Sequence, residues 1–307
     1  MIALLLAKQI AELFFIIFLG FLLVKLKLLK TGDSKVLSTI ALYLLNPCVI
    51  INAFQIDYSD DIRRGLILSF AAAFIVHIVY ILATSLLNRI FHLNNIEKAS
   101  IIYTNAGNLI VPIVLLLFGK EWLVYTSGYM VVQMVFMWSH GRMIVCEEQS
   151  VDIRKIMLNV NMIASAIGIL MFALQIKFPV IVLETMEMLT AMIGPVCMLV
   201  AGMIIGGMNL KKVFLFKRIY IVTFVKMVVY PMMILLLMKM SRAELLVVNG
   251  NTILLISLLA SIAPTAASIT QMTQVYDKDS EYASAIYFIT TLVCIATMPA
   301  MVWLYQI

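Results

Sequence analysis

The sequence predicts an all-α membrane protein: ten transmembrane helices in two inverted five-helix repeats, with helices 4 and 9 broken so that they cross near mid-membrane. Three observations lead there. Hydrophobic residues make up 64% of the 307 residues and charged residues 12%, with a mean hydropathy of +1.07. A typical soluble chain is about 45–50% apolar and about 25% charged, so too few polar groups exist to cover a water-facing surface of this size. The apolar residues fall into ten runs, each near the roughly 20 residues that cross about 30 Å of hydrocarbon. Prolines and glycines then recur at matching places in the two halves. A soluble globular domain and a disordered chain are excluded first.

The spans are expected at about 8–26, 35–55, 65–87, 98–118, 122–145, 157–176, 180–206, 213–238, 249–273 and 282–304. The run after Met1 has no small-residue cleavage site and reads as a retained first span. Short loops hold most of the charge. Odd-numbered loops carry fourteen Lys and Arg and the even-numbered side seven, which puts odd loops in the cytoplasm and both termini outside. The net charge of +6 contains no basic block, so it is an orientation signal and no nucleic-acid partner is expected. The lipid bilayer is the expected surrounding.

The longest loop region, around 140–156, divides the chain into a first repeat at 1–145 and a second at 157–307. Gly20 and Gly168 are 148 residues apart, as are Pro47 and Pro195, while Pro112 and Pro264 are 152 apart. Five spans per repeat is an odd number, so the second copy must be inverted. Inverted repeats with interrupted helices point to a secondary transporter.

Span 2 carries Asn46-Pro47, with Asn52 five residues on. An amide facing lipid is costly, so Asn46 faces inward, either to a ligand or to repair the gap opened by Pro47. Span 3 holds His77, read as a packed polar residue before a proton relay. Span 4 reads Tyr103-Thr104-Asn105-Ala106-Gly107-Asn108-Leu109-Ile110-Val111-Pro112, and span 9 reads Ser261-Ile262-Ala263-Pro264-Thr265-Ala266-Ala267-Ser268. Proline removes one N–H and clashes with the preceding turn. Inside a membrane the freed backbone groups need partners from protein or a water-lined cavity. Two such breaks present half-helix ends to a ligand, and N-terminal ends suit an anion. The other reading of either break is a kink repaired by Ser, Thr and Asn.

Lys226 lies in the middle of span 8, twelve residues from Phe214 and from Met238. A charge at that depth is functional by default. Three roles stand open: it neutralises a substrate anion, it stands as a fixed cation where a relative binds a metal ion, or helix-end carbonyls hold it as a structural cation. Glu12 is either interfacial or part of proton coupling. Cys48, Cys146, Cys197 and Cys294 show no CxxC spacing and read as packing thiols. No metal cluster, cofactor motif, Walker loop or hydrolase motif is present, so no cofactor, metal site or enzymatic activity is expected.

These residues resemble the auxin efflux carrier family, whose plant members are the PIN-formed auxin exporters. The resemblance runs over nearly the whole chain. It rests on Gly20 with the Lys25-to-Lys35 loop, Leu45-Asn46-Pro47, Asn105-Ala106-Gly107-Asn108 with Pro112 and Phe118-Gly119, Pro264-Thr265-Ala266 with Tyr276 and Asp277, and Pro299. It implies a fold like that of bile-acid transporters and sodium–proton antiporters. Spans 1, 2, 6 and 7 would form a scaffold that makes a homodimer, and spans 3–5 and 8–10 a transport part. It implies efflux of a small organic anion across the cell (inner) membrane by an elevator motion, with a dicarboxylate or malate permease coupled to protons or sodium as the alternative and an anion channel after that. The substrate site would comprise Asn46, Asn105, Asn108, Pro112, Lys226, Pro264, Thr265 and Ser268. Many relatives have Val and Asn where this chain has Ala267 and Ser268, and a Gly where it has Ile110. The long plant loop between the halves has no counterpart, which argues against auxin itself as the substrate.

Overall fold

A computed structural model describes residues 2–57, 59–147, 154 and 157–307. The expected junction between the halves therefore lies largely outside the described residues. The described chain is nearly all helix. Its strand-like geometry is confined to one isolated bridge, Thr104 with Thr265.

The first helix, α1, is Ile2–Lys25. α2 is Thr31–Ala53 and α3 is Asp60–Phe91. α3 starts at Ser59, whose hydroxyl accepts from the Ile62 N–H at 3.1 Å, and Asp60 and Asp61 lie against the positive helix end. Its 32 residues rise about 48 Å, more than the hydrocarbon needs, so it tilts or projects. α4, Asn95–Ile102, opens with a capping box between Asn94 and Glu97. α5 covers residues 106–117 and α6 residues 123–146. α7 is Val160–Leu174, α8 Val180–Gly207, α9 Leu210–Leu215 and α10 Lys217–Ser241. α11 is Gly250–Ser261, α12 Ala267–Val275 and α13 Ser280–Gln306. Five of these, α2, α3, α8, α10 and α13, are long and apolar enough to cross a membrane.

Four helices contain a five-residue π turn: Ala41–Leu45 in α2, Ala106–Ile110 in α5, Met137–Gly141 in α6 and Val225–Val229 in α10. Three of them end two residues before a proline, namely Pro47, Pro112 and Pro231. The proline ring would clash with the carbonyl four residues back, and the wider turn gives that carbonyl room. Pro195 and Pro299 sit in helices that stay α-helical around them.

α1 lies along α8 at backbone contact. A Cβ on Gly202 would stand 1.9 Å from the Ile17 carbonyl oxygen, and one on Gly20 2.4 Å from that of Leu199. Small residues are what allow helices in a bilayer to approach this closely. α7 packs on the end of α2 through Phe54 and Phe172, whose ring centroids are 6.4 Å apart. α3 packs on α6, where the Ser69 hydroxyl donates to the Tyr125 carbonyl at 2.6 Å, and reaches α10 through a 2.6 Å bond between Thr84 and Tyr230. Large apolar side chains such as Phe15, Ile67, Leu82 and Ile181 face outward, as a bilayer-facing surface requires.

Candidate functional site

The site begins with two helices that stop early. α4 ends at Ile102 and α5 resumes at Ala106; α11 ends at Ser261 and α12 resumes at Ala267. The extended segments between them pair antiparallel. The Asn105 N–H donates to the Pro264 carbonyl at 2.8 Å, and the Ala266 N–H to the Tyr103 carbonyl at 3.1 Å. Each break thus satisfies backbone groups that the other leaves open. Side chains complete the job. Gln133 of α6 donates to the Thr104 carbonyl at 2.8 Å and accepts from the Thr104 hydroxyl at 2.5 Å. The Thr265 hydroxyl donates to the Ser100 carbonyl at 3.0 Å, and the Thr265 N–H to the Thr290 hydroxyl at 3.3 Å.

The four half-helix ends face different surroundings. The C-terminal end of α4 meets Lys226, whose Nζ donates to the Ile101 carbonyl at 2.8 Å and to that of Tyr103 at 3.5 Å. The C-terminal end of α11 meets the Tyr80 hydroxyl, which donates to the Ser261 carbonyl at 3.2 Å. The N-terminal ends of α5 and α12 open onto a cavity of about 100 Å³, and neither has a side-chain cap. Uncapped N–H groups with the positive end of the dipole behind them attract negative charge.

The cavity lies between two groups of elements. Ser38, Ala41 and Asn46 come from α2 and Asn161 from α7; facing them are Thr104, Asn105 and Gly107, Gln133 and Trp138 of α6, and Ala267 and Ser268 of α12. None of the described lining residues is charged. The Asn46 and Asn161 side chains are buried, at 8% and 3% exposure, and the Oδ1 of each lacks a hydrogen-bond partner. A buried amide oxygen without a partner is costly, so a bound molecule that donates to it gains what the chain itself does not supply. Three π turns, those of α2, α5 and α6, each contribute a lining residue, as π turns near functional sites often do.

Of the residues singled out from sequence, Asn46, Asn105 and Ser268 line this cavity. The side chain of Asn108 lies outside the described residues. Pro264 and Thr265 build the paired breaks instead of lining the space. Pro112 packs against α8, where a Cβ on Gly194 would come within 3.0 Å of its ring. Lys226 is fully buried behind the α4 end and does not reach the cavity. The arrangement corresponds to the carbonyl-held cation among the three roles its position left open. Its ammonium turns to the end of α4, where the broken helix offers the Ile101 and Tyr103 carbonyls. Glu12 is exposed, 3.7 Å from Lys8. His77 is packed: its Nδ1 lies 2.7 Å from the Ala73 carbonyl and its ring stacks on Phe136 at 5.2 Å. Asn52 points to Thr190 of α8 at 3.4 Å, away from the cavity.

Sequence reasoning missed Gln133, Asn161 and Trp138. Gln133 was detectable, as the only amide in the apolar run 129–137. Asn161 sits at the start of its helix beside the capping Asn159, where an Asn is ordinary.

A second polar cluster lies at the ends of α3, α4, α10 and α13. Glu97 is fully buried and receives Arg218 in a two-pronged contact of 2.7 Å each and the Tyr282 hydroxyl at 2.7 Å. Burial pushes the Glu97 carboxyl up, but hydrogen bonds from Arg218, Tyr282 and the Asn94 N–H outweigh it and hold the group below the usual carboxylate value. Arg218 also caps the end of α3 through the Phe91 and His92 carbonyls, both at 3.1 Å. The cluster ties four helix ends together at one level.

A family model described as membrane transport protein matches residues 5–302. No curated protein matches the chain. With apolar helices long enough to cross a membrane, paired helix breaks at its centre and a family match over almost its whole length, the chain belongs to the auxin efflux carrier family of membrane transport proteins.

Proposed function

We propose that the chain is a secondary transporter that moves a small organic anion, such as a carboxylate, out of the cell through the cavity between its helix breaks. The observation that supports this is the convergence of two uncapped helix N-termini on a cavity whose described lining residues include no acid. Each N-terminus contributes roughly half a positive elementary charge in a medium of low dielectric. The free acceptors of Asn46 and Asn161 favour a molecule that carries a hydroxyl or N–H beside its carboxylate. A cavity of about 100 Å³ takes a small molecule or several waters.

The wider architecture belongs to the same proposal. Ten spans form two inverted five-helix repeats, at 1–145 and 157–307, and spans 4 and 9 cross at their breaks. The cavity draws one wall from α2 and α7 and the other from α4 to α6 and α12, which supports a scaffold and a moving part that slide as an elevator. Family membership supports an efflux direction and a homodimer as parts of this reading. The basic-residue bias supports both termini outside the cell membrane.

The test is thermal stabilisation of purified protein across mono- and dicarboxylates, hydroxy acids, indole-3-acetate and amino acids. A ligand of the folded state raises the melting temperature by mass action. A carboxylate is expected to do so, and for one that also carries a hydroxyl or N–H, Asn46→Leu is expected to weaken binding about tenfold, the worth of one hydrogen bond donated to the buried amide oxygen. The unliganded variant should melt no lower than the wild type, because the substitution removes a buried atom without a partner. A neutral or cationic compound as the only hit would sink the anion reading.

A further inference from the structure

A groove of about 210 Å³ lies where α1 and α8 meet α13. Ile17, Ile205, Phe288 and Thr291 form its floor, each no more than 7% exposed, while Phe18 and Leu292 stand at its rim at 49% and 38%. Thr291 is the only polar side chain among its described lining residues, and its hydroxyl already donates to the Tyr287 carbonyl at 2.6 Å. Water finds no partner there. An unfilled space would cost its walls their contacts, so the groove needs an apolar occupant. α8 and α13 are long and apolar enough to cross a membrane, and α1 lies along α8, so the occupant at hand is the hydrocarbon of the bilayer.

One end of the groove is charged. Phe14, Phe18 and Phe21 line it as a stripe of about 10 Å along α1. Lys25, the last residue of α1, follows one turn later and is exposed. Its Nζ stands 5.5 Å from the centroid of the Phe21 ring, which puts the ammonium at the mouth of the groove. Lys27, Lys30 and Lys35 continue the same stretch against a single acid, Asp33, which accepts from the Lys30 N–H at 2.8 Å. None of the four lysines enters a described ion pair. Basic residues just past the end of a membrane helix attract anionic headgroups. An apolar groove that ends in such an ammonium matches the two parts of an anionic phospholipid, a hydrocarbon chain and a phosphate.

We propose that the groove between α1, α8 and α13 binds an acyl chain of an anionic phospholipid whose phosphate lies against Lys25, in the leaflet that the basic-residue count makes the cytoplasmic one. α1 and α8 belong to the proposed scaffold and α13 to the proposed moving part, so this lipid fills the seam between them. Its place in the transport cycle rests on that reading, whereas its binding does not. The test below contains no carboxylate, so it succeeds or fails separately from the carboxylate screen.

The experiment titrates the purified full chain in detergent with dioleoylphosphatidylglycerol or dioleoylphosphatidylcholine and counts bound lipids by native mass spectrometry. Wild type should bind the first phosphatidylglycerol about fivefold more tightly than the first phosphatidylcholine, the worth of one basic residue beside an anionic headgroup. Lys25→Gln should remove that preference, while Lys239→Gln, an exposed lysine at the far end of α10, should keep it. Leu292→Trp enlarges the rim side chain and should weaken both lipids. Glycerol 3-phosphate, a phosphate without chains, should not displace the bound lipid. A wild type without the preference would overturn the proposal, as would a Lys25→Gln that keeps it or a Lys239→Gln that loses it equally. A Leu292→Trp that turns a dimer into a monomer and leaves lipid binding unchanged would make the groove a contact between copies and would overturn it too. If Leu292→Trp does not fold, wild type and the two lysine variants still decide.

Discussion

Gly202→Ala adds one methyl group and should loosen the seam between α1 and α8. The new Cβ would lie 1.9 Å from the Ile17 carbonyl oxygen, 2.8 Å from the Phe21 nitrogen and 2.9 Å from the Gly20 Cα. All three are backbone atoms, so no side chain can rotate away. Bringing the closest contact to 3.0 Å requires the helices to part by about 1.1 Å. A gap of 0.5–1 Å already forfeits about a quarter to a half of each contact it opens, and close packing is what holds helices together in a bilayer. Overpacking costs about 1–3 kcal/mol, and a clash with backbone belongs at the upper end. Alanine regains about 1 kcal/mol of helix propensity, so a net loss of about 2 kcal/mol is expected. The assay is thermal denaturation in detergent. Gly32→Ala is the control, since a Cβ there has nothing within 4 Å and should change stability by less than about 0.5 kcal/mol. Gly20→Ala, at 2.4 Å from the Leu199 carbonyl, should also destabilise. The double variant should cost less than the two singles together, because one helix separation relieves both clashes. Gly202→Ala melting at or above wild type would refute the reasoning, since propensity alone would then be deciding.

Two further outcomes are expected. Glu97→Gln should lower stability by about 1–2 kcal/mol near neutral pH, between the value of an exposed pair and that of a buried one, because Arg218 is about half exposed. The Glu97 carboxyl is held below its ordinary value, so its contribution is complete above about pH 4.3 and is lost as pH falls through the lowered value. Melting curves of variant and wild type should therefore converge in acid; a gap that persists unchanged there would place the effect in shape and not in charge. Single cysteines replacing Lys30 and Lys212 should be labelled from the cytoplasm, and one replacing Lys177 from outside; the opposite pattern would reverse the orientation.

The sequence by itself determined the membrane class, the helical content and the presence of a break in each of spans 4 and 9, though in span 4 the break falls at 103–105 and not at Pro112. These are local properties. An apolar run of about 20 residues has little choice but helix in hydrocarbon. A proline can interrupt that helix, as at Pro264, but Pro112 is carried inside α5 behind a π turn, and span 4 breaks at 103–105 instead. The π turns before Pro47, Pro112 and Pro231 arise just as locally, from a ring that needs room one turn back. Tertiary structure alone decided what the breaks do for one another. The bridge between Thr104 and Thr265 joins residues 161 apart, and its hydrogen bonds consume backbone groups that the sequence shows only as open. It also decided that Gln133 and Asn161 reach the cavity and Lys226 does not. Depth in a span told that Lys226 needed a partner, but the partner is a carbonyl on a helix more than 120 residues earlier. Which carbonyl a buried ammonium finds depends on how helices pack, and packing is a property of the whole chain.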